Sequence, residues 1–364
     1  MTGGRFRGAD PALAERALSR ADPLPGATAD AAVRGFAGEL PDGRLVRDVL
    51  GREPLYVDGD EWAFAPDDLD DPRLLPAGTV RDADGTSGRL SLSAPDPETD
   101  ERAAVDRLTT VLDGALEATP PTAVAFSGGV DSSLVAAGTD GPLYAVGFPG
   151  SHDLVAARDA ARAFDRDLRV VELDADDLRE AVPVVARATG RTNAMDVSIA
   201  VPLYAAARRA AADGHDRIAL GQGADELFGG YAKVAKAPGD PRVDAETVRG
   251  ARRETLATLP DQLPRDVLAV RAGGARAVAP LLDDRVIAAA LELPERLLVD
   301  GRGERKVGLR QAARSFVPAR VAYREKKAVQ YGSLIARELD RLARQAGFKR
   351  RQDDHLSKYV ASLL

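Results

Sequence analysis

Apolar positions follow two regimes along the chain. In residues 1–97 they fall in short runs interrupted by Pro, Gly and Asp: a helical pattern at 11–19, then strand-like pieces at 44–49, 54–58, 61–65 and 88–92. This pattern predicts a small, mostly β unit. The polar stretch 93–98 carries Pro95 and Pro97. A helical pattern then begins near Glu98, with Ala104, Leu108, Val111, Leu112 and Leu116 on one face. The boundary is placed there, giving domains at 1–97 and 98–364. Past it, strand, turn and helix alternate. Apolar strands are predicted at 123–126, 143–148, 168–173 and 216–220, with helices at 132–138, 153–164, 175–188 and 199–213. Strands alternating with helices of this length predict an α/β fold, a parallel sheet covered on both faces. Beyond Gly229 the apolar spacing is helical almost to the C-terminus, and no internal repeat interrupts it.

Composition narrows the classes. A length of 364 residues suits a large domain with a smaller companion, and 45% apolar content is ample for a core. No apolar run approaches the roughly 20 residues that span a bilayer, and the opening MTGGRFRGAD lacks the apolar centre of a secretion signal. The expectation is a cytoplasmic protein with no membrane partner. Cysteine is absent, which excludes disulfides, thiolate metal sites, thiol nucleophiles and persulfide carriers. His152, His215 and His355 are scattered without ligand spacing, which argues against a histidine zinc site. The formal charge is −7, and arginine makes up nearly all of the 50 basic residues, with lysine at only seven positions. Such an acidic surface does not suit nucleic acid and would suit a high-salt cytoplasm.

Candidate chemistry sits at two strand ends. The first is AVAFSGGVDSSLVAA, residues 123–137. A strand that ends in Ser-Gly-Gly and turns into a helix directs several backbone N–H groups at one spot, backed by the positive end of the helix dipole. Such a spot binds phosphate. Gly128 and Gly129 let the backbone close around an anion, and Ser127, Ser132 and Ser133 supply hydroxyls. An ordinary capped turn would read similarly, but Asp131 beside an anion cradle is repulsive unless a cation lies between them, and Mg²⁺ on a pyrophosphate is the obvious one. The second is LGQGADELFGGY, residues 220–231, another strand running into a glycine loop. In a parallel sheet both loops lie along one edge, so Asp225 is expected to face Asp131 across the phosphates.

SGGVDSS followed by GQGADELFGGY resembles the synthetase domain of the asparagine synthetase family, whose ATP pyrophosphatase loop is SGGxDSS and whose second motif is GEGxDExFGGY. The segments 144–158, 280–313 and 317–333 are also similar to that family, so the resemblance covers most of residues 100–335. It implies an adenine nucleotide α-hydrolase-like (PP-loop) fold with a helical C-terminal part, and dependence on ATP and Mg²⁺. Carried over position by position, it implies that Ser127, Gly128, Gly129, Asp131, Ser132 and Ser133 hold the pyrophosphate of ATP. Phe126 and Val146 would flank the adenosine, Gly221 and Gln222 line the nucleotide, and Asp131 and Asp225 bind Mg²⁺. Within YREKKAVQYG, Lys326 matches the lysine aimed at the reacting phosphate and acyl centre, with Lys327 one residue away as the runner-up.

The resemblance also has gaps. Residues 45–80 resemble the end of the family's glutaminase domain, but the N-terminal part is roughly half the usual length and lacks the cysteine that attacks glutamine. A truncated remnant that does not hydrolyse glutamine is expected, with ammonia arriving free or from a separate glutaminase. Gln222 stands where the family has a glutamate, and an amide is no general base near pH 7. Ser198 stands near the family's substrate-binding arginine, and Arg276 is a candidate replacement cation. The implied activity is a carbon–nitrogen ligase that adenylates a small-molecule carboxylate, aspartate by default, and transfers it to ammonia or an amine. A β-lactam-synthetase-like or other amide-forming ligase is the alternative within the class. A catalytically silent nucleotide-binding scaffold is the alternative outside it.

Overall fold

The computed structural model describes residues 5–29, 31–237, 239–324, 331–349 and 354–364. The N-terminal part carries two antiparallel sheets. One has the order β1 (Phe6–Arg7), β2 (Ala37–Glu39), β3 (Leu45–Arg47), β7 (Thr79–Asp82), β8 (Gly85–Gly88). The other places β4 (Tyr56–Asp58) between β5 (Glu61–Ala63) and β6 (Arg73–Leu74). Helix α1 (Pro11–Arg20) is capped by the Asp10 side chain. The expected strand at 88–92 is displaced: Ala83-Asp84 forms the two-residue turn between β7 and β8, closed by the Asp82–Gly85 pair, while Leu90 lies past the strand with its side chain buried. The two-residue loop sets the register of the pair, Val80 opposite Ser87.

The second part begins with α2 (Glu101–Glu117), whose first turn is capped by Asp100. A five-stranded parallel sheet follows, built from β9 (Ala123–Ala125), β10 (Leu143–Gly147), β11 (Leu168–Glu172), β12 (Arg217–Ala219) and β13 (Arg276–Val278), in the order β11-β10-β9-β12-β13. Strand β13 lies inside the stretch expected to be helical; at three residues after Gly273-Gly274 it is too short to show a period. Helices α3 (Val130–Ala137), α4 (His152–Phe164), α5 (Ala175–Thr189) and α6 (Ala194–Ala212) connect the first strands. Side chains alternate between two cores. Val124, Ala145 and Ala219 enter one cluster, while Ala123, Tyr144, Val146 and Ile218 enter the other with α5 and α6. Both faces of the three central strands are therefore covered, while the edge strands β11 and β13 stay partly exposed.

The remaining helices are α7 (Ala224–Leu227), α8 (Ala232–Ala235), α9 (Val248–Leu256), α10 (Leu259–Ala272), α11 (Asp284–Leu291), α12 (Glu295–Leu298), α13 (Val307–Ala313), α14 (Ala319–Ala322), α15 (Tyr331–Gln345) and α16 (His355–Ala361). The N-terminal sheets are tied to them by buried arginines. Arg52 binds Asp48 at 2.8 Å and Asp284 at 2.6 Å, with side chains 2% exposed or less. Burial opposes the Arg52 charge, but the two carboxylates outweigh it and raise its pKa. Arg47 donates to the carbonyls of Leu75, Gly51 and Pro260 at 2.7, 2.9 and 3.0 Å. Phe36 and Val46 accordingly share one apolar cluster with Leu108 and Leu112 of α2.

Candidate active site

The chain order in the sheet creates the site. From β9 the chain proceeds outward through β10 to β11, then returns to the other side of β9 for β12 and β13. Ligands bind at such a switch point, beyond the C-terminal strand ends. Strands β9 and β12 are direct partners, with Ala219 opposite Val124. The loops that follow them, 126–129 and 220–223, are thus neighbours. Their approach is close: a Cβ on Gly221 would stand 3.0 Å from the Asp131 Cβ. Gly128 has φ +73° and backs onto α4, where a Cβ would lie 2.5 Å from the Ala156 carbonyl oxygen, so no other residue fits there without strain.

A cavity of about 770 Å³ opens at this point, within the range of small-molecule sites. Its lining brings together Phe126, Ser127, Gly128, Gly129, Asp131, Ser132, Val146, Gly221, Gln222 and Asp225. Phe126 packs edge-on against Phe164, 6.4 Å between ring centres. Ser127 and Ser132 steady the loop, their hydroxyls 3.2 Å apart, and the Ser127 N–H lies 3.2 Å from the Ser132 Oγ. Ser133 is placed differently: it is fully buried outside the lining, and its Oγ has no hydrogen-bond partner among the described residues. Lys326 and Lys327 lie outside the described residues.

Asp131 and Asp225, 94 positions apart in the chain, converge on a group the sequence analysis did not single out. Lys306 Nζ lies 2.6 Å from Asp131 Oδ2 and 2.8 Å from Asp225 Oδ1, its side chain 2% exposed. Burial alone would lower the pKa of this lysine, yet the carboxylates outweigh it and hold it above the ordinary value. Lys306 caps α13 in the left-handed conformation, φ 61°. Gly230 makes room for the trio, since a Cβ there would overlap both Asp225 Oδ1 and Lys306 Cε. Glu226 turns away from the cavity, buried and donated to by the Tyr231 hydroxyl at 2.5 Å; burial raises its pKa. The signal for Lys306 was present as a lysine in a lysine-poor chain, but its meaning depends on the fold that brings α13 beneath the two loops.

The residues fit a divalent cation. Asp131 Oδ1 is buried and has no hydrogen-bond partner among the described residues. Magnesium takes one or two protein carboxylates and completes its shell with phosphate and water oxygens. Asp131 and Asp225 would be those two. No cluster of three or more metal-ligating side chains occurs among the described residues.

The acceptor side differs from the expectation in one respect. Arg276 opens β13 opposite Arg217, at the N-terminal edge of the sheet, and pairs with Asp216 at 2.6 Å with its side chain 63% exposed. It is at the wrong end of the strand to reach the cavity. Ser198 does line the cavity, its hydroxyl donating to the Ala194 carbonyl at 2.6 Å. Gln222 donates through Nε2 to Asp266 Oδ2 at 2.5 Å, and Asp266 also lines the cavity. Sequence reasoning missed Asp266 because it lies on α10, 44 residues away, with no local motif.

The comparisons agree with the geometry. Over an alignment 378 positions long, gaps included, the chain is 28% identical to a putative glutamine-hydrolysing asparagine synthetase 1 from Methanocaldococcus jannaschii, covering 85% of this chain and 70% of that protein. Against asparagine synthetase B from Escherichia coli it is 28% identical over 228 residues, 57% of this chain and 40% of that one. Several plant asparagine synthetases match over 53 to 54% of their own length, so the chain spans about half of those relatives. A solved NAD+ synthetase from Burkholderia pseudomallei aligns with 70% of this chain and 93% of its own at 17% identity and a TM-score of 0.21. A sequence model of asparagine synthase matches residues 105–276 and 240–361, which is most of the chain and includes both glycine loops and Lys306, so this protein belongs to the asparagine synthase family.

Proposed function

We propose that this chain is an ATP- and Mg²⁺-dependent carbon–nitrogen ligase. It would join a carboxylate to the α-phosphate of ATP, release pyrophosphate, and pass the acyl group to ammonia or an amine with loss of AMP. The observation that carries this reading is the meeting of Asp131, Asp225 and Lys306 under two glycine loops at the switch point of a parallel sheet. Backbone N–H groups of residues 127–129 and the N-terminus of α3 would receive the pyrophosphate, with Ser127 and Ser132 as hydroxyl donors. Phe126 and Val146 would enclose the adenosine, with Gly221 and Gln222 along the nucleotide. Mg²⁺, when bound by Asp131 and Asp225, supplies charge neutralisation for the departing pyrophosphate. Lys306, already locked between those carboxylates, would keep their charge balanced before the nucleotide arrives. Lys326 is assigned the role of stabilising charge on the leaving group and acyl centre. It follows Arg324, which lines the cavity, by two residues.

Aspartate is the default acid and ammonia the default nitrogen source. The chain holds no cysteine, so glutamine hydrolysis by a thiol is excluded, and residues 1–97 are assigned a structural role beside the synthetase domain at 98–364. Among the described residues no helix is long and apolar enough to cross a membrane, and a cytoplasmic location is proposed. The test is pyrophosphate–ATP exchange, together with AMP formation, across a panel of amino acids with ammonium present. Aspartate-dependent exchange is expected. If no acid stimulates exchange or AMP release, the ligase reading fails.

A further inference from the structure

In the family pattern a glutamate occupies position 222, whereas this chain has an amide that cannot take a proton near neutral pH. The structure places a carboxylate against that amide. Asp266 Oδ2 receives the Gln222 Nε2–H bond at 2.5 Å, and both side chains line the cavity that holds Asp131 and Asp225. An ionised carboxylate only accepts, so the Gln222 amide must present its nitrogen to Asp266. The other oxygen is held from behind: Arg265 Nε donates to Asp266 Oδ1 at 2.7 Å. Arg265 in turn reaches Asp196 at 2.7 Å, and Asp196 also takes Arg191 at 2.8 Å and Asn193 at 2.6 Å. This chain of contacts runs from the cavity to the start of α6 and leaves Asp266 little freedom. The other carboxylates of the lining are committed or remote. Asp131 and Asp225 hold Lys306, while Asp153 and Asp159 belong to α4, which follows β10, on the opposite side of β9 from β12.

We propose that Asp266 is the catalytic proton acceptor for the incoming nitrogen, and that Gln222 and Arg265 are positioning residues that aim it. This assignment rests on the ligase reading above. The nitrogen lone pair forms the new C–N bond at the acyl carbon, and the nitrogen becomes cationic. Its proton passes to Asp266 Oδ2. The C–O bond to the phosphate then breaks, and AMP leaves with the electron pair. A carboxylate suffices as acceptor, because a nitrogen that has just bonded to an acyl carbon is far more acidic than the free ammonium ion. The carboxylate has therefore moved from the loop after β12 to the facing helix, and the amide it left behind serves as its hydrogen-bond donor.

The experiment separates activation from transfer, using the full chain with aspartate as the acid and hydroxylamine or ammonium as the nucleophile. In Asp266→Asn, aspartate-dependent pyrophosphate–ATP exchange is expected to stay within about 2-fold of the parent. Amide or hydroxamate formation should fall by about 100-fold, the lower range for general-base catalysis. The double variant Gln222→Glu/Asp266→Asn inverts the amide–carboxylate pair and should recover at least about 10-fold of the lost transfer. Should Asp266→Asn lose exchange through misfolding, Gln222→Ala decides, since it leaves the Arg265–Asp266–Asp196 contacts intact. There the ratio of transfer to exchange is expected to drop by about 10-fold. Transfer undiminished in either single variant, or no recovery in the double variant, overturns the assignment of Asp266 while leaving the ligase reading in place. Absence of exchange in the parent chain overturns both.

Discussion

Replacing Lys306 with methionine removes an ammonium and keeps the bulk of the side chain. Both residues are L-amino acids in the same left-handed position, φ 61°, so backbone strain cancels from the comparison. At 2.6 and 2.8 Å each carboxylate contact is worth about 6 kcal/mol of gross Coulomb energy at an effective dielectric of about 20. Desolvation of the ammonium takes back several kcal/mol of that. The relevant quantity is the cost of leaving the partners behind, typically 3–5 kcal/mol for a buried pair. Asp131 and Asp225 keep 20% and 25% side-chain exposure, so water recovers a share and the expected loss is about 3 kcal/mol. Urea unfolding at neutral pH reads this directly. The raised pKa of Lys306 makes the sign definite: its contribution is complete below the ordinary lysine value and is lost only as pH climbs through the folded value. Millimolar MgCl₂ should then restore about 1 kcal/mol to the variant and little to the parent, because only the variant offers two unbalanced carboxylates. A loss under about 1 kcal/mol, or equal magnesium effects on both proteins, refutes the account of this triad.

Three further outcomes are expected. Gly230→Ala forces Asp225 and Lys306 apart and should weaken Mg²⁺–ATP binding by at least 10-fold at an overpacking cost of about 1–3 kcal/mol, measured by calorimetry and urea unfolding; unchanged affinity would show that the close approach is unimportant. Arg52→Met strands Asp48 and Asp284 in the seam between the two parts of the chain, and should cost about 3–5 kcal/mol in the same unfolding assay; a loss no larger than that of a surface substitution would contradict it. Burial opposes ionisation of Asp196, but hydrogen bonds from Asn193, Arg191 and Arg265 outweigh it and lower its pKa to about 2. A carboxylate with a depressed pKa stabilises the fold above its unfolded value and loses that contribution as pH falls toward 2, so Asp196→Asn should flatten the acid limb of the stability curve by about 2 kcal/mol.

The sequence by itself determined the parallel sheet, because apolar strands alternating with helices have no other way to bury both faces. It also marked the glycine loop that borders the cavity, because that loop and the helix after it are contiguous in the chain and Gly128 takes its left-handed turn from local backbone alone. What it could not determine was anything assembled from separated segments. Strand β13 is three residues long and shows no period, so its place beside β12 and the position of Arg276 at the far end became visible only with the register. Lys306 and Asp266 carry no local signature. Each is an ordinary helix-associated residue until α13 and α10 are packed against the strand ends, and only that packing makes one the counter-charge of Asp131 and Asp225 and the other the partner of Gln222. Hydrophobic period and turn chemistry act over a few residues and can be read along the chain, whereas electrostatic pairing acts through space and belongs to the tertiary structure.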